Sequence, residues 1–441
     1  MRVIDGFIQH ARQDPERPAV VVPGGLQCSY GALVDIMARE AKHLRATGPR
    51  LGSPIPVLAS EPWPYLTRFL AIIHAGYVAV CGPQGIDPTS TLSLASRYGP
   101  EQQDLFYMGP TSGSTGSPKA ILRTHASWIQ SFDLMTKLFG MPYRLLAPGS
   151  LAFSATLIAV LHCLHEGGTV YLPSPILQAR LAGLMEREAI THAFFVLARL
   201  RSILDTAGER RSDLPVTIVT AGDKLDGDTR RRMATLFPDG RLYEYYGSAE
   251  MGFVSYMEPE TGDSNPDSVG RLCPGVACEL RDVHGVPVPT GTPGIIHVRS
   301  PYQFAGYAHS MPVSPSDWVT VGDRGWFDHA GLLYLLGRDE DQLNIGGAKI
   351  FATEVERVLL LHPAVRDAAV AGLSDRLRGQ VVGAAIVLAD GATTTSAELR
   401  RWCRERLPRV GVPRRIWLLP GLPRNTAGKV DRGRLREVLH P

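Results

Sequence analysis

Lysine is nearly missing from these 441 residues: six, at 42, 119, 137, 224, 349 and 429, stand against forty arginines. Where the chain needs only charge it uses arginine, so a retained lysine marks a place that wants a slim, mobile ammonium rather than a planar fork. Lys119, Lys349 and Lys429 sit in glycine-rich stretches (GSTGSPK, NIGGAK and NTAGK), whereas Lys42 and Lys137 fall on expected helix surfaces. Cysteine is sparse too: six residues without metal-type pairing read as reduced core side chains, not a disulfide framework. No apolar run reaches the ~20 residues of a membrane span. The opening Met-Arg-Val-Ile-Asp lacks the apolar stretch of a secretion signal. A net charge of +3 without a basic block leaves no footprint for nucleic acid. These absences predict a cytoplasmic protein whose partners include neither membrane nor nucleic acid.

With 44% hydrophobic and 20% charged residues, the chain has material for a large core and is too long for one ordinary domain. Up to residue 260 short β-branched runs (AVVVP, YVAVCG, TVYLP, HAFFVLA, VTIVTAG, RLYEYYG) alternate with helical patterns such as YGALVDIMAREAKHL. That alternation predicts an α/β domain on mostly parallel sheets, with ligands gathered at the carboxyl ends of the strands. From residue 269 the texture turns to glycine-punctuated strands, GIIHVRS, WVTVGD and GLLYLLGR, which predict a β-rich subdomain. After the charged run GRDED comes a mixed tail. The expected division is a large domain over 1–338 and a small, mobile α+β domain over 339–441. His162 and His165 are three apart but lack further ligands nearby, so they read as core histidines.

The densest polar stretch is TSGSTGSPKA, beginning at residue 111. Its glycines let backbone N–H groups converge into an anion nest, its hydroxyls add donors, and Lys119 adds a compact charge. It differs from the P-loop, whose lysine is followed by Ser or Thr at the head of a helix. Here Pro118 precedes the lysine and Ala120 follows it, so no hydroxyl is placed for Mg²⁺. The bland alternative is a solvated surface loop.

In their order along the chain, these pieces resemble the adenylate-forming superfamily of acyl-CoA synthetases, peptide-synthetase adenylation domains and luciferases. TSGSTGSPKA is similar to its phosphate loop, YYGSAE to its Tyr-Gly-x-x-Glu motif, and VGDRGWFDHAGLLYLLGRDED to the approach to its hinge. PRNTAGKVDR resembles the motif with the catalytic lysine, and CSYGAL and IIHAGYVAV resemble earlier structural motifs. The likeness covers nearly the whole chain, with a trimmed region ahead of residue 111. It implies a ligase that uses ATP and Mg²⁺ to activate a carboxylic acid as an acyl-AMP, releasing pyrophosphate. Joining two anions demands positive charge. By resemblance, Lys429 bridges the carboxylate and the α-phosphate. Thr111, Ser112, Gly113, Ser114, Thr115, Gly116 and Lys119 hold the departing pyrophosphate. Glu250 binds Mg²⁺, a hard cation suited to carboxylate oxygen. Tyr246 stacks on adenine, Gly222, Asp223 and Gly247 line the nucleoside, Asp323 and Arg338 reach the ribose, and Glu340 is the hinge. Ala249 departs from the family's usual threonine, whose contact Ser248 is placed to replace.

Amino-acid-activating members carry an aspartate where this chain has Ser154, which implies an acid without an α-amine. Phe153, Ser154, Val196 and Gly247 are expected to line an apolar pocket for an aryl or medium acyl chain. Twelve residues follow Lys429, leaving no room for a fused carrier domain, so the thiol is expected in trans. LNIGGAKI resembles the thioester-forming members: Gly346 and Gly347 let a pantetheine arm pass and Lys349 meets its phosphates, with CoA as co-substrate. A free-standing carrier protein, an amine acceptor or an unusual oxyacid are the alternatives within the superfamily. Outside it stand a nucleotide-hydrolysing or phosphoryl-transferring enzyme and an inactive acyl-nucleotide binder.

Overall fold

The computed structural model describes residues 1–82, 104–110, 119–174, 181–208, 210–222, 224–308, 310–338, 342–345, 348–375, 379–424 and 430–439. The chain forms two compact units: Met1–Cys278 with Val298–Val319, and Glu279–His297 with Thr320–Pro441.

The first unit is built on a nine-stranded and a five-stranded sheet. In the larger, the strands Arg241–Ser248, Thr217–Ala221, His192–Val196, Arg144–Leu146, Thr169–Tyr171 and Pro18–Val21 run parallel as neighbours. Antiparallel strands close its two edges. Parallel neighbours need crossovers, and the helices supply them. Tyr30–Thr47 begins where Ser29 accepts the Ala32 N–H, and it buries Tyr30, Leu33, Met37, Ala41 and Leu44 at three- and four-residue spacing. Ser154–His165 is buried along Thr156–Leu164, which is why TLIAVLHCL carries almost no polar side chain. In the five-stranded sheet Leu105–Pro110 and Ala120–Thr124 form an antiparallel pair with Pro110 opposite Ala120.

The second unit holds a four-stranded antiparallel sheet, a two-stranded hairpin and a three-stranded sheet. The helices Ala352–Leu360 and Ser396–Arg404 pack in its core, the latter started by a capping box between Thr395 and Glu398. One expected strand is corrected. In WVTVG, ahead of Asp323, only Val319 makes a ladder contact, a single bridge to Val298. The regular strand begins at Asp323, because Gly322 at φ +79° turns the chain just before it. Among the described residues no helix is long and apolar enough to cross a membrane.

Candidate active site

The register of the larger sheet sets Val196, Ala221 and Tyr245 side by side. The segments following them therefore leave one edge together. Gly222 follows Ala221 at φ +99°, a conformation suited to glycine. Between Tyr246 and Gly247 the pairing with Gly252–Met257 shifts register, as strands do where a site must re-aim a side chain. A Cβ at Gly247 would lie 2.0 Å from the Gly252 carbonyl oxygen, so the bulge depends on glycine there. Ser248 Oγ accepts the Met251 N–H at 3.0 Å and closes the turn that presents Ala249 and Glu250.

Glu250 is 8% exposed, and its Oε1 accepts a hydrogen bond from the Tyr307 hydroxyl at 3.1 Å. Lys119 Nζ lies 5.3 Å from the centre of the same tyrosine ring. Behind them Arg123 is buried and donates to the carbonyls of Ala249 (3.1 Å) and Tyr302. Burial lowers its pKa to about 10, against the raising influence of Tyr107 and Glu250, so it keeps its charge at neutral pH. Among the described residues no group of three or more His, Cys, Asp or Glu could cage a metal.

Nearby, Tyr107 is buried, with its phenol pKa raised by desolvation, and it hydrogen-bonds Ser154. Ser154 thus opens its helix as a neutral group tied to a phenol; Phe153 takes the cap position and Val196 ends its strand half-buried. Lys224, two residues after Gly222, is committed elsewhere. Its Nζ meets Glu244 at 2.8 Å, Arg230 meets the same oxygen at 3.0 Å, and the Leu225 N–H takes the other at 3.0 Å. His162, 3% exposed, bonds Thr136 at 2.7 Å, and burial lowers its pKa to about 3.

In the second unit Asp323 and Arg338 stand opposite each other in a hairpin and pair at 2.9 Å. The two groups expected at the ribose form one cross-strand ion pair. Lys349 lies on a strand opposite Asn344. Thr111, Ser112, Gly113, Ser114, Thr115, Gly116, Asp223, Glu340, Gly346, Gly347 and Lys429 lie outside the described residues. Sequence reasoning missed Tyr307, Arg123 and Tyr107. The only signals were a tyrosine after glycine in QFAGY and the tyrosine heading YMGPTSGSTG.

The AMP-binding enzyme family matches residues 90–308, and the AMP-binding enzyme C-terminal domain matches 354–429. An uncharacterised acyl-CoA ligase of Bacillus subtilis (strain 168), YhfT, is 34% identical over 336 residues, 76% of this chain and 68% of that protein. A salicylyl-CoA synthase/salicylate adenylyltransferase of a Streptomyces species is 27% identical over 368 residues, 80% of this chain and 66% of the other. The amide bond synthetase McbA of Marinactinospora thermotolerans superposes with a TM-score of 0.83 at 25% identity, covering 99% of this chain and 100% of that one. With the Glu250 turn, the Asp323–Arg338 pair and these likenesses together, the chain belongs to the AMP-binding enzymes of the adenylate-forming superfamily and is an AMP-forming ligase, which adenylates an acid and passes the acyl group to a thiol or an amine.

Proposed function

We propose that the protein activates an aryl or medium-chain carboxylic acid, not an α-amino acid, as its acyl-AMP with release of pyrophosphate, and then transfers the acyl group to CoA. The observation that carries this reading is Glu250: a buried carboxylate that accepts one neutral hydroxyl, from the tyrosine whose ring faces the Lys119 ammonium. Glu250 would hold Mg²⁺, which would supply positive charge against the phosphates of the leaving pyrophosphate. Thr111–Gly116 and Lys119 grip the leaving phosphates. Tyr246, Gly222, Asp223 and Gly247 hold the nucleoside, and Asp323 and Arg338 the ribose. Lys429 stabilises charge developing between the two anions, a role that lowers the barrier without raising nucleotide affinity. Residues 339–441 act as the small mobile domain, pivoting at Glu340, and Gly346, Gly347 and Lys349 admit the pantetheine arm.

The neutral Ser154, bonded to Tyr107, offers an α-ammonium no counter-charge, which supports an acid lacking one. The likeness to a salicylate-activating enzyme supports an aryl acid. The likeness to McbA favours a second reading, transfer to an amine. The test is pyrophosphate release with ATP, Mg²⁺ and a panel of acids, followed by CoA or amines. Acid-dependent pyrophosphate, lost in Lys429→Ala, is expected. Release of phosphate or ADP, or no acid dependence, overturns the proposal. Consumption of acyl-AMP by amines but not CoA selects the second reading.

A further inference from the structure

The segment 304–308 ties together two parts of the site that the chain keeps far apart. Phe304 N–H donates to the Glu250 carbonyl at 2.8 Å, while Ala305 N–H and Ala308 N–H donate to Leu122 and Ala120 at 2.9 and 2.8 Å. Tyr307 pairs with Ile121, two residues past Lys119. Gly306, at φ +123°, sets the direction of the next side chain, and Phe304 meets the Tyr307 ring edge-on at 5.0 Å. The ring is thus fixed from both sides, and it turns its hydroxyl to Glu250 and its face to Lys119.

We infer that Tyr307 is a positioning residue for the metal–phosphate half of the site, an inference that rests on the nucleotide reading above. Its hydroxyl proton occupies Glu250 Oε1, fixes the carboxylate's rotation and leaves Oε2 for the cation. A hydrogen bond behind a ligating carboxylate typically governs metal affinity ten- to a hundredfold. Its ring face draws the Lys119 ammonium by the quadrupole attraction of an aromatic for a cation. One side chain therefore fixes the spacing between the positive charge that meets phosphate and the negative charge that meets the metal. Arg123 holds the turn through the Ala249 carbonyl.

The test uses the full chain and measures ATP binding by calorimetry, with Mg²⁺ and with EDTA, in wild type, Tyr307→Phe and Tyr307→Leu. Tyr307→Phe keeps the ring and loses the proton. Its metal-free ATP affinity is expected to be unchanged, while the gain from Mg²⁺ falls about tenfold. Tyr307→Leu is expected to show the same Mg²⁺ loss and, in addition, metal-free binding weakened about threefold as Lys119 loses the ring. A Tyr307→Phe variant with wild-type Mg²⁺ dependence, or one weakened equally with and without metal as a mere prop would be, overturns the inference. Leucine and phenylalanine variants alike in metal-free binding overturn its lysine half. Absent pyrophosphate release with intact Mg²⁺-dependent ATP binding refutes the proposed function and leaves Tyr307 to be judged by these affinities. A wild-type chain that binds neither form of ATP overturns both.

Discussion

Glu244 and Glu250 lie six residues apart in one stretch of chain, both nearly buried at 2% and 8% exposure, yet their surroundings are opposite. Glu244 is saturated: Lys224, Arg230 and the Leu225 N–H occupy both its oxygens. Glu250 accepts one phenol proton, and the guanidinium of Arg123, whose charge it feels, donates to carbonyls instead. Both carboxylates are costly to bury. A saturated one stitches structure, here Gly222's loop to its neighbouring strand. The unsaturated one is the carboxylate we propose for a cation brought by the substrate. The difference separates two glutamates that a sequence pattern would treat alike.

If that contrast is right, neutralising each glutamate breaks a different property. Glu250→Gln is expected to cut Mg²⁺-dependent acyl-adenylate formation about a thousandfold, the scale of losing a preorganised charge at a reacting phosphate. Its unfolding free energy should move by no more than about 1 kcal/mol. A large fall in stability with modest activity loss would place Glu250 with the structural pairs. Glu244→Gln is expected to do the reverse. It strands Arg230 and Lys224 in a site that already lowers the lysine's pKa by desolvation, and breaking such a pair costs about 3 kcal/mol. Urea denaturation reads this directly, and an unchanged midpoint would end the argument.

A smaller effect concerns a buried group of the other sign. Burial, with His165 and His192 adding repulsion, lowers the pKa of His162 from the ordinary 6.5 to about 3. The folded value lies below the unfolded one, so the unfolded chain takes the proton first. Stability from this residue is complete above pH 6.5 and falls as pH drops toward 3, at up to about 1.4 kcal/mol per pH unit. His162→Gln keeps a partner for Thr136 and cannot titrate. Its melting temperature should fall less steeply than wild type between pH 6.5 and 4. Parallel curves would show that His162 is already protonated in the folded chain.

What the sequence made legible follows from distance along the chain. Alternating strands and helices fixed the parallel sheet, and the loops after Ala221 and Tyr245 were readable because a parallel register brings successive carboxyl ends to one edge. Asp323 and Arg338 meet across a hairpin, a short closure that the flanking strands enforce. Tyr307 was not readable. Its partners lie 57 residues away at Glu250 and in the distant strand that follows the phosphate-type loop, and no local period encodes such a meeting. Ser248, expected as a replacement for the missing threonine, has its oxygen engaged by Met251, a turn bond that the letters SAEM do not announce. WVTVGD failed as a strand because its β-branched residues precede a glycine with positive φ.

The segment 304–308 also has a meaning for the growing chain. Lys119 and its hairpin leave the ribosome long before Tyr307 does, and Glu250 emerges in the interval. At ~5–20 residues per second, synthesis leaves roughly ten seconds or more in which the Ala120–Thr124 strand exists without its Gly306–Tyr307 partner. A nascent enzyme stopped before residue 304 therefore contains all nine strands of its larger sheet but lacks the Tyr307 that meets Glu250 and Lys119. That edge strand is the last of its sheet's five strands to be made.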